Sequence, residues 1–304
     1  MPTQGPIRTG VIGTPMPRTE DHRLLTGQGI YAGDLTANAL CHAAMVRSPH
    51  AHARIHSIDV SQANAAPGVL AVLTGADAKK DGLGPMPHNP DWVGPPDATL
   101  RLPPGFEVFV TENTVLPVDT VRYVGEAVAM VVAETAEAAT DGAELVDIEY
   151  EELSSVVHAV AAMEPGAPQI WPDCPDNLAL TCEVGDRDAT EQAFEGAAHV
   201  VAFDCWVHRV TGSPMEPRAV VGEYDPANDR YTLRTASGAG VVRSRDRLAV
   251  TLGVPPENCR AIFGDMGGNF GTRNAFFPEY ALMPWAAKRV GRTVKWTATR
   301  QECF

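Results

Sequence analysis

The stretch "GDMGGNFGTRN", Gly264 to Asn274, places four glycines within eight residues around a single aromatic. "CRAIF" (Cys259 to Phe263) precedes it and suits a short strand, so the chain runs from a strand straight into bare main chain. Gly267, Gly268 and Gly271 permit positive φ and let a bulky group approach the backbone. Consecutive N–H groups in such a loop can form an anion-binding nest. Phe270 then reads as an apolar wall beside a ligand. Arg273 reads as a cation that neutralises a phosphate or lies over a ring. The competing reading is a tight strand-to-helix turn with Phe270 in the core. Neither nucleotide fingerprint fits. Met266 breaks the G-x-G-x-x-G register, and Gly271 is followed by Thr272 and Arg273 rather than by the Lys of a phosphate-binding loop.

Composition narrows the functions this loop can serve. The chain has 304 residues, 44% of them hydrophobic and 20% charged, with a net charge of −14. An acidic chain lacks the clustered Lys and Arg that nucleic acid or an anionic membrane requires. No apolar run is long enough to span a bilayer, and "MPTQGPIRTGVIGTPMPR" lacks the apolar stretch of a secretory signal, so a cytoplasmic protein is expected. The six cysteines are scattered with no C-x-x-C pair, which points away from zinc or iron–sulfur ligation in this chain. Most of them are expected as buried small apolar residues.

Along the chain, helix-like and strand-like segments are mixed. Residues 40–60 read as strand, polar loop, strand. Val69 to Leu73 reads as a buried strand, with a short helix opening at Gly75. "EAVAMVVAE" (Glu126 to Glu134) is another buried strand. A helix capped by Thr135 follows, with Ala138, Ala139 and Leu145 facing the core. Residues 79–115, rich in Pro and Gly, read as a long surface excursion. A boundary is expected between 155 and 180, at "MEPGAPQIWPDCPDN". Beyond it come a helix at 189–198, strands at "AAHVVAFDCWVHRV" and "YTLRTASG", and a helix ended by Gly253 and Pro255. "EYALMPWAAKRVGRTVKWTATRQECF" gives helix, turn and strand. Its last strand wants neighbours, so the chain is expected either to stop in mid-domain or to be completed by another polypeptide.

Three further stretches carry candidate chemistry. In "HRVTGSPMEPRAVVGEYD", two prolines rigidify a turn, Glu216 and Arg218 flank Pro217, and His208 lies on an alternating strand near Trp206. The Glu216 and Arg218 charges suit a structural ion pair, and a lone His suits a satisfied core position. Gly125 and Glu126 sit where a loop becomes a strand. His50 and His52 share a strand face without a carboxylate or Cys at metal-ligand spacing.

Taken in order, "PRTEDHRLLTGQGIYAGDL", "RSPHAHARI", "PGVLAVLTGAD", "VLPVDTVRYVGEAVAMVVAE", "HRVTGSPMEPRAVVGEYD" and "DMGGNFGTRN" resemble the molybdenum-containing subunit of the xanthine oxidase family. They are most similar to its carbon monoxide dehydrogenase and aldehyde oxidase-like large subunits. The resemblance implies an α+β fold. Residues 1–155, from about residue 17, would form an α/β hammerhead domain. Residues 156–304 would form the first part of a molybdopterin-binding α+β domain, incomplete at its C-terminus.

It further implies that Gly267, Gly268, Asn269, Phe270, Gly271 and Arg273 hold the cofactor, with Phe270 and His208 in catalytic positions and no metal ligated directly by protein. The cofactor would be molybdopterin, as the cytosine dinucleotide, carrying molybdenum. The substrate would be an aldehyde, an N-heterocycle or a similar small molecule, with water as oxygen source. An iron–sulfur small subunit would carry [2Fe-2S], an FAD medium subunit the flavin, and a further chain the rest of the molybdenum subunit with its general-base Glu. Two departures stand out. The family's G-G-G-F-G is here G-G-N-F-G, and either His208 occupies the place of a Gln or that Gln is absent. The alternative expectation is a truncated, non-catalytic fragment or assembly module.

Overall fold

The computed structural model describes residues 12–88 and 101–304. Residues 1–11, and residues 89–100 of the Pro- and Gly-rich stretch, lie outside them. The elements run α1 (Asp21–Leu25), β1 (Cys41–Arg47), β2 (Ala53–Asp59), α2 (Ser61–Ala65), β3 (Val69–Thr74), α3 (Gly75–Lys80), β4 (Thr120–Val121), β5 (Ala127–Ala133), α4 (Ala136–Glu144) and β6 (Asp147–Glu152). Then follow α5 (Arg187–Glu195), β7 (Ala219–Asp225), β8 (Arg230–Thr235), α6 (Val241–Leu252), β9 (Cys259–Phe263), α7 (Pro278–Val290) and β10 (Val294–Thr297).

Seven strands form one sheet in the order β3-β5-β1-β10-β7-β8-β9, and β4-β2-β6 form a smaller one. The large sheet therefore draws strands from both sides of the boundary expected near residue 155. The last strand has its neighbours within this chain. β10 runs parallel to β1 and antiparallel to β7. The expectation that it lacked them is corrected, and the reason is sequence distance: its partner β1 lies some 250 residues upstream.

β5 is buried along its whole length because both of its faces are covered. Met130 and Val132 join the main core, while Val131 packs with Ala63 and Val72. α4 closes over that second face. Thr135 caps it by accepting the Ala138 N–H, as its sequence predicts. Leu145 is exposed rather than facing the core. The close contact is made by Gly142 instead, where an added Cβ would lie 2.8 Å from Val69. Pro- and Gly-rich residues beyond Lys79 are not purely a surface excursion, since Met86, Val115 and Leu116 are in the main core. Of the six cysteines, Cys41, Cys174 and Cys259 are buried, but Cys182 and Cys205 are exposed.

α7 is buried all round from Glu279 to Ala287 and forms the centre of the larger core. β7 reaches it through Gly222, whose added Cβ would fall 2.1 Å from the Met283 carbonyl carbon and 2.3 Å from Pro284 N. Backbone meets backbone there, so nothing can move aside. Glu279, 2% exposed, pairs with Arg47 at 2.9 Å, and Arg47 also reaches Glu302 at 2.8 Å. This ties α7 and the residues after β10 to β1. Gly222→Ala is expected to destabilise the chain by about 3 kcal/mol through overpacking, read as a lower urea midpoint at constant slope.

Candidate functional site

β8 and β9 are parallel neighbours joined through α6, so the loops leaving both strands meet at the same sheet end. Residues 236–240 leave β8 and residues 264–274 leave β9. The sequence breaks both strands with glycine, which is why two bare loops lie side by side.

The glycine loop is held from beneath by Glu216. Its Oε2 accepts the Gly267 N–H at 2.7 Å and Arg273 Nη1 at 2.6 Å. Arg273 Nη2 also donates to the Glu216 carbonyl. Gly267 sits so close that an added Cβ would lie 2.4 Å from Glu216 Cβ. Arg273 is only 3% exposed. The free guanidinium expected to meet a phosphate or a ring is thus corrected: a carboxylate and a carbonyl already occupy it, and it lies under the loop. Glu216 pairs with Arg273 rather than with Arg218, whose Nη2 donates to the Glu302 carbonyl at 2.9 Å. Arg300 grips the adjoining turn, donating to the Pro214 and Met215 carbonyls at 2.6 Å each.

Asn269 points inward. Its Oδ1 accepts the Arg273 N–H at 3.1 Å and its Nδ2 donates to Asn274 Oδ1 at 3.0 Å. Room for this side chain comes from the other loop, where a Cβ on Gly238 would lie 2.1 Å from Asn269 Nδ2. Asn269 is therefore part of the loop's internal bracing and does not cover its outer surface.

Phe270 points outward. It is 75% exposed and holds φ at +49°, a left-handed conformation that costs a bulky residue energy. Phe270 does not pack into the core formed by this chain. Gly268 and Gly271 flank it with φ of +121° and +83°, and open space faces Gly271. Among the described residues, the N–H groups of Gly268, Asn269, Phe270 and Gly271 have no hydrogen-bond partner. Four successive donors and one aromatic ring thus present a ledge with both anion-binding and apolar character. Beside it lies a cavity of about 320 Å³ lined by Gly212, Glu216, Arg218, Thr272 and Phe277 among others. Gly212 crosses close to the ledge, its added Cβ 2.7 Å from Phe270 Cβ.

The structure brings Gly267, Gly268, Asn269, Phe270, Gly271 and Arg273 together, but His208 stands apart. It is exposed, in a segment expected as a strand that has no ladder partner among the described residues. The expected core position for His208 is corrected for that reason. His52 is the satisfied buried histidine instead, its Nδ1 2.8 Å from the Ser154 carbonyl. Glu126 is a turn residue that accepts the Arg122 N–H at 2.6 Å, and burial pushes its carboxyl pKa up.

Sequence reading missed the roles of Glu216, Gly238 and Asp265. "ASGAG" at 236–240 was the available signal for Gly238. No local pattern announces Asp265, which follows the first glycine of the loop. Asp265 accepts both Arg23 Nη1 and Nη2 at 2.6 Å and the Ile30 N–H at 2.7 Å. This clasps residues 23–31 to the root of the ledge.

The chain matches the family described as "Molybdopterin cofactor-binding domain" over residues 170–304. It matches "Aldehyde oxidase and xanthine dehydrogenase, a/b hammerhead domain" over 26–94 and 97–154. Fold and ledge together define a subunit of the molybdopterin-dependent oxidoreductases. The nicotine 6-hydroxylase large subunit of Paenarthrobacter nicotinovorans is 36% identical over 98% of this chain and 34% of its own length. The carbon monoxide dehydrogenase large chain of Afipia carboxidovorans is 33% identical over 96% of this chain and 35% of its own. The crystal structure of quinoline 2-oxidoreductase from Pseudomonas putida 86 superposes with a TM-score of 0.79 at 35% identity, over 95% of this chain and 35% of that one. The chain belongs to the xanthine oxidase family and corresponds to the N-terminal portion of its molybdenum-binding large subunit. It spans about a third of the length of these relatives.

Two outcomes follow from the geometry. Gly238→Ala is expected to cost about 2 kcal/mol in urea unfolding, and Asn269→Gly in the same chain to restore about 1 kcal/mol of it, because the two side chains compete for one space. The Asp265 pKa is held down to about 2, first by the Arg23 hydrogen bonds and then by the Ile30 N–H. A folded pKa below the unfolded value means the clasp is complete above about pH 4 and is lost as pH falls toward 2. Limited proteolysis near Gly27 should accelerate across that window, and Asp265→Asn should remove the pH dependence.

Proposed function

We propose that this chain walls one side of the molybdopterin site in a molybdenum hydroxylase, and that a second polypeptide completes the site. One observation carries the reading. Phe270 is kept in a strained, outward conformation beside four unbonded N–H groups, an arrangement that packing within the chain does not need. Those donors suit the oxo and anionic groups of a flat heterocyclic cofactor, and the ring suits its apolar face, so the residues fit the group.

Main chain from Gly268 to Gly271 would hold it, and Gly267 would back those donors through its bond to Glu216. Arg273 acts from below through Glu216, keeping the ledge rigid. His208, taken as the counterpart of the family's Gln, would offer an imidazole hydrogen bond at the rim once its segment is anchored. When bound, molybdopterin, as the cytosine dinucleotide, would supply oxidation of an electron-poor carbon with water as oxygen source, electrons leaving to [2Fe-2S] and FAD partner subunits. The proton acceptor, a carboxylate, would come from the completing polypeptide.

The substrate is proposed to be an N-heterocycle, by likeness to relatives named for nicotine and quinoline, with an aldehyde as the next class. The proposed location is the cytoplasm. Among the described residues, no helix is long and apolar enough to cross a membrane. The second reading, a non-catalytic assembly module, draws on the one-third coverage of the relatives.

Purification of the tagged chain with its partners from source cells, followed by elemental analysis, decides between them. The enzyme reading expects about one molybdenum per copy, and a metal-free complex would support the assembly module. Phe270→Ala is expected to lower turnover of the loaded complex about tenfold or more while moving stability by less than about 0.5 kcal/mol, since the ring is exposed. Equal losses in both would mark Phe270 as a packing residue.

A further inference from the structure

Residues 197–210, "AAHVVAFDCWVHRV", carry the period-two alternation of a strand, yet the structure leaves them without a ladder. Among the described residues, no main-chain hydrogen bond joins any residue from His199 to Met215 to other main chain. Val201, Phe203 and Val207, at alternate positions with Cys205 between the last two, are 89%, 85% and 83% exposed. Val200, Trp206 and Val210 on the other face are exposed as well. A lone strand with apolar side chains on both faces has no stability in water. Its attachments to the body are few: the Trp206 ring against His158 at 5.8 Å, and Arg209 Nη2 on the Val157 carbonyl at 3.3 Å.

The segment lies inside the match to the molybdopterin cofactor-binding domain, so it belongs to the family's fold and is not an insertion beside it. The relatives align with nearly all of this chain and carry about two thirds of their length besides. That surplus is the polypeptide available to cover the segment. An extended segment with a free main chain and alternating apolar residues is met by strand addition, in which main-chain hydrogen bonds supply affinity and alternate side chains supply register. Its C-terminal end leads within a few residues to Gly212, which abuts Phe270. A strand laid here therefore also fixes the position of His208 relative to the ledge.

We propose that residues 199–210 are the docking strand for the chain carrying the remainder of the molybdenum subunit, which pairs with their main chain and covers Val201, Phe203 and Val207. This rests on the reading that such a chain completes the site. The test uses the complex purified from source cells through a tag on this chain. Native mass spectrometry identifies its members, and hydrogen exchange reads amides 199–210 against those of residues 227–229 in the exposed turn after β7 as an internal reference.

The proposal expects a second chain of the large-subunit family in the complex and exchange at 199–210 about a hundredfold slower than at the turn. Phe203→Asp and Val207→Pro, which respectively bury a charge and remove a ladder donor, are each expected to cut the co-purified second chain about tenfold. Phe270→Ala should retain it in full. A second chain that is present while 199–210 exchanges as fast as the turn, or that both variants retain, overturns the docking strand and leaves the function standing. A complex without a second large-subunit chain overturns the completed-site reading itself. Protection of 199–210 in a complex holding only copies of this chain would reassign the strand to self-association.

Discussion

Everything at the site depends on one carboxylate. Glu216 takes the Gly267 N–H and the Arg273 guanidinium on a single oxygen, and both partners belong to the loop it supports. Breaking such a partly buried pair leaves an uncompensated charge, so the arrangement resists disassembly piece by piece. Because the loop is held from below, its upper surface can remain unbonded and strained. An unsupported glycine loop would relax and satisfy its own N–H groups. Rigidity beneath and open donors above are two consequences of one contact.

The rest of the fold serves to bring Glu216 under that loop. Glu216 lies just before β7, the loop follows β9, and β8 separates the two strands in the sheet. Gly222 lets β7 settle on the α7 backbone, and Arg47 ties α7 and the residues after β10 to β1. Arg300 then holds the Pro214 turn, while Asp265 fastens residues 23–31 to the root of the loop. The large sheet thereby joins the hammerhead part to the cofactor-binding part by hydrogen bonding. A ledge at one sheet end can be oriented with respect to both parts at once.

The asparagine amid the glycines of G-G-N-F-G has a local role. Asn269 turns inward, braces Arg273 N–H and Asn274, and fills space left by Gly238. The two positions are thirty-one residues apart and lie on adjacent loops only because β8 and β9 are parallel neighbours. A side chain that interrupts a glycine run in one dimension is a strut in three.

Amino-acid order alone determined the local elements and the kinship. Periodicity placed β3, β5, α4 and α6, and six ordered motifs carried the family. These signals are legible because strand alternation, caps and loop glycines act over a few residues. Tertiary structure alone decided where charges and exposed faces went. Arg273 beneath the loop, Glu216 as its partner, β10 in mid-sheet and the bare segment at 199–210 all depend on residues distant in sequence. Ion pairing and ladder formation are set by distance in space, which neighbouring residues do not encode.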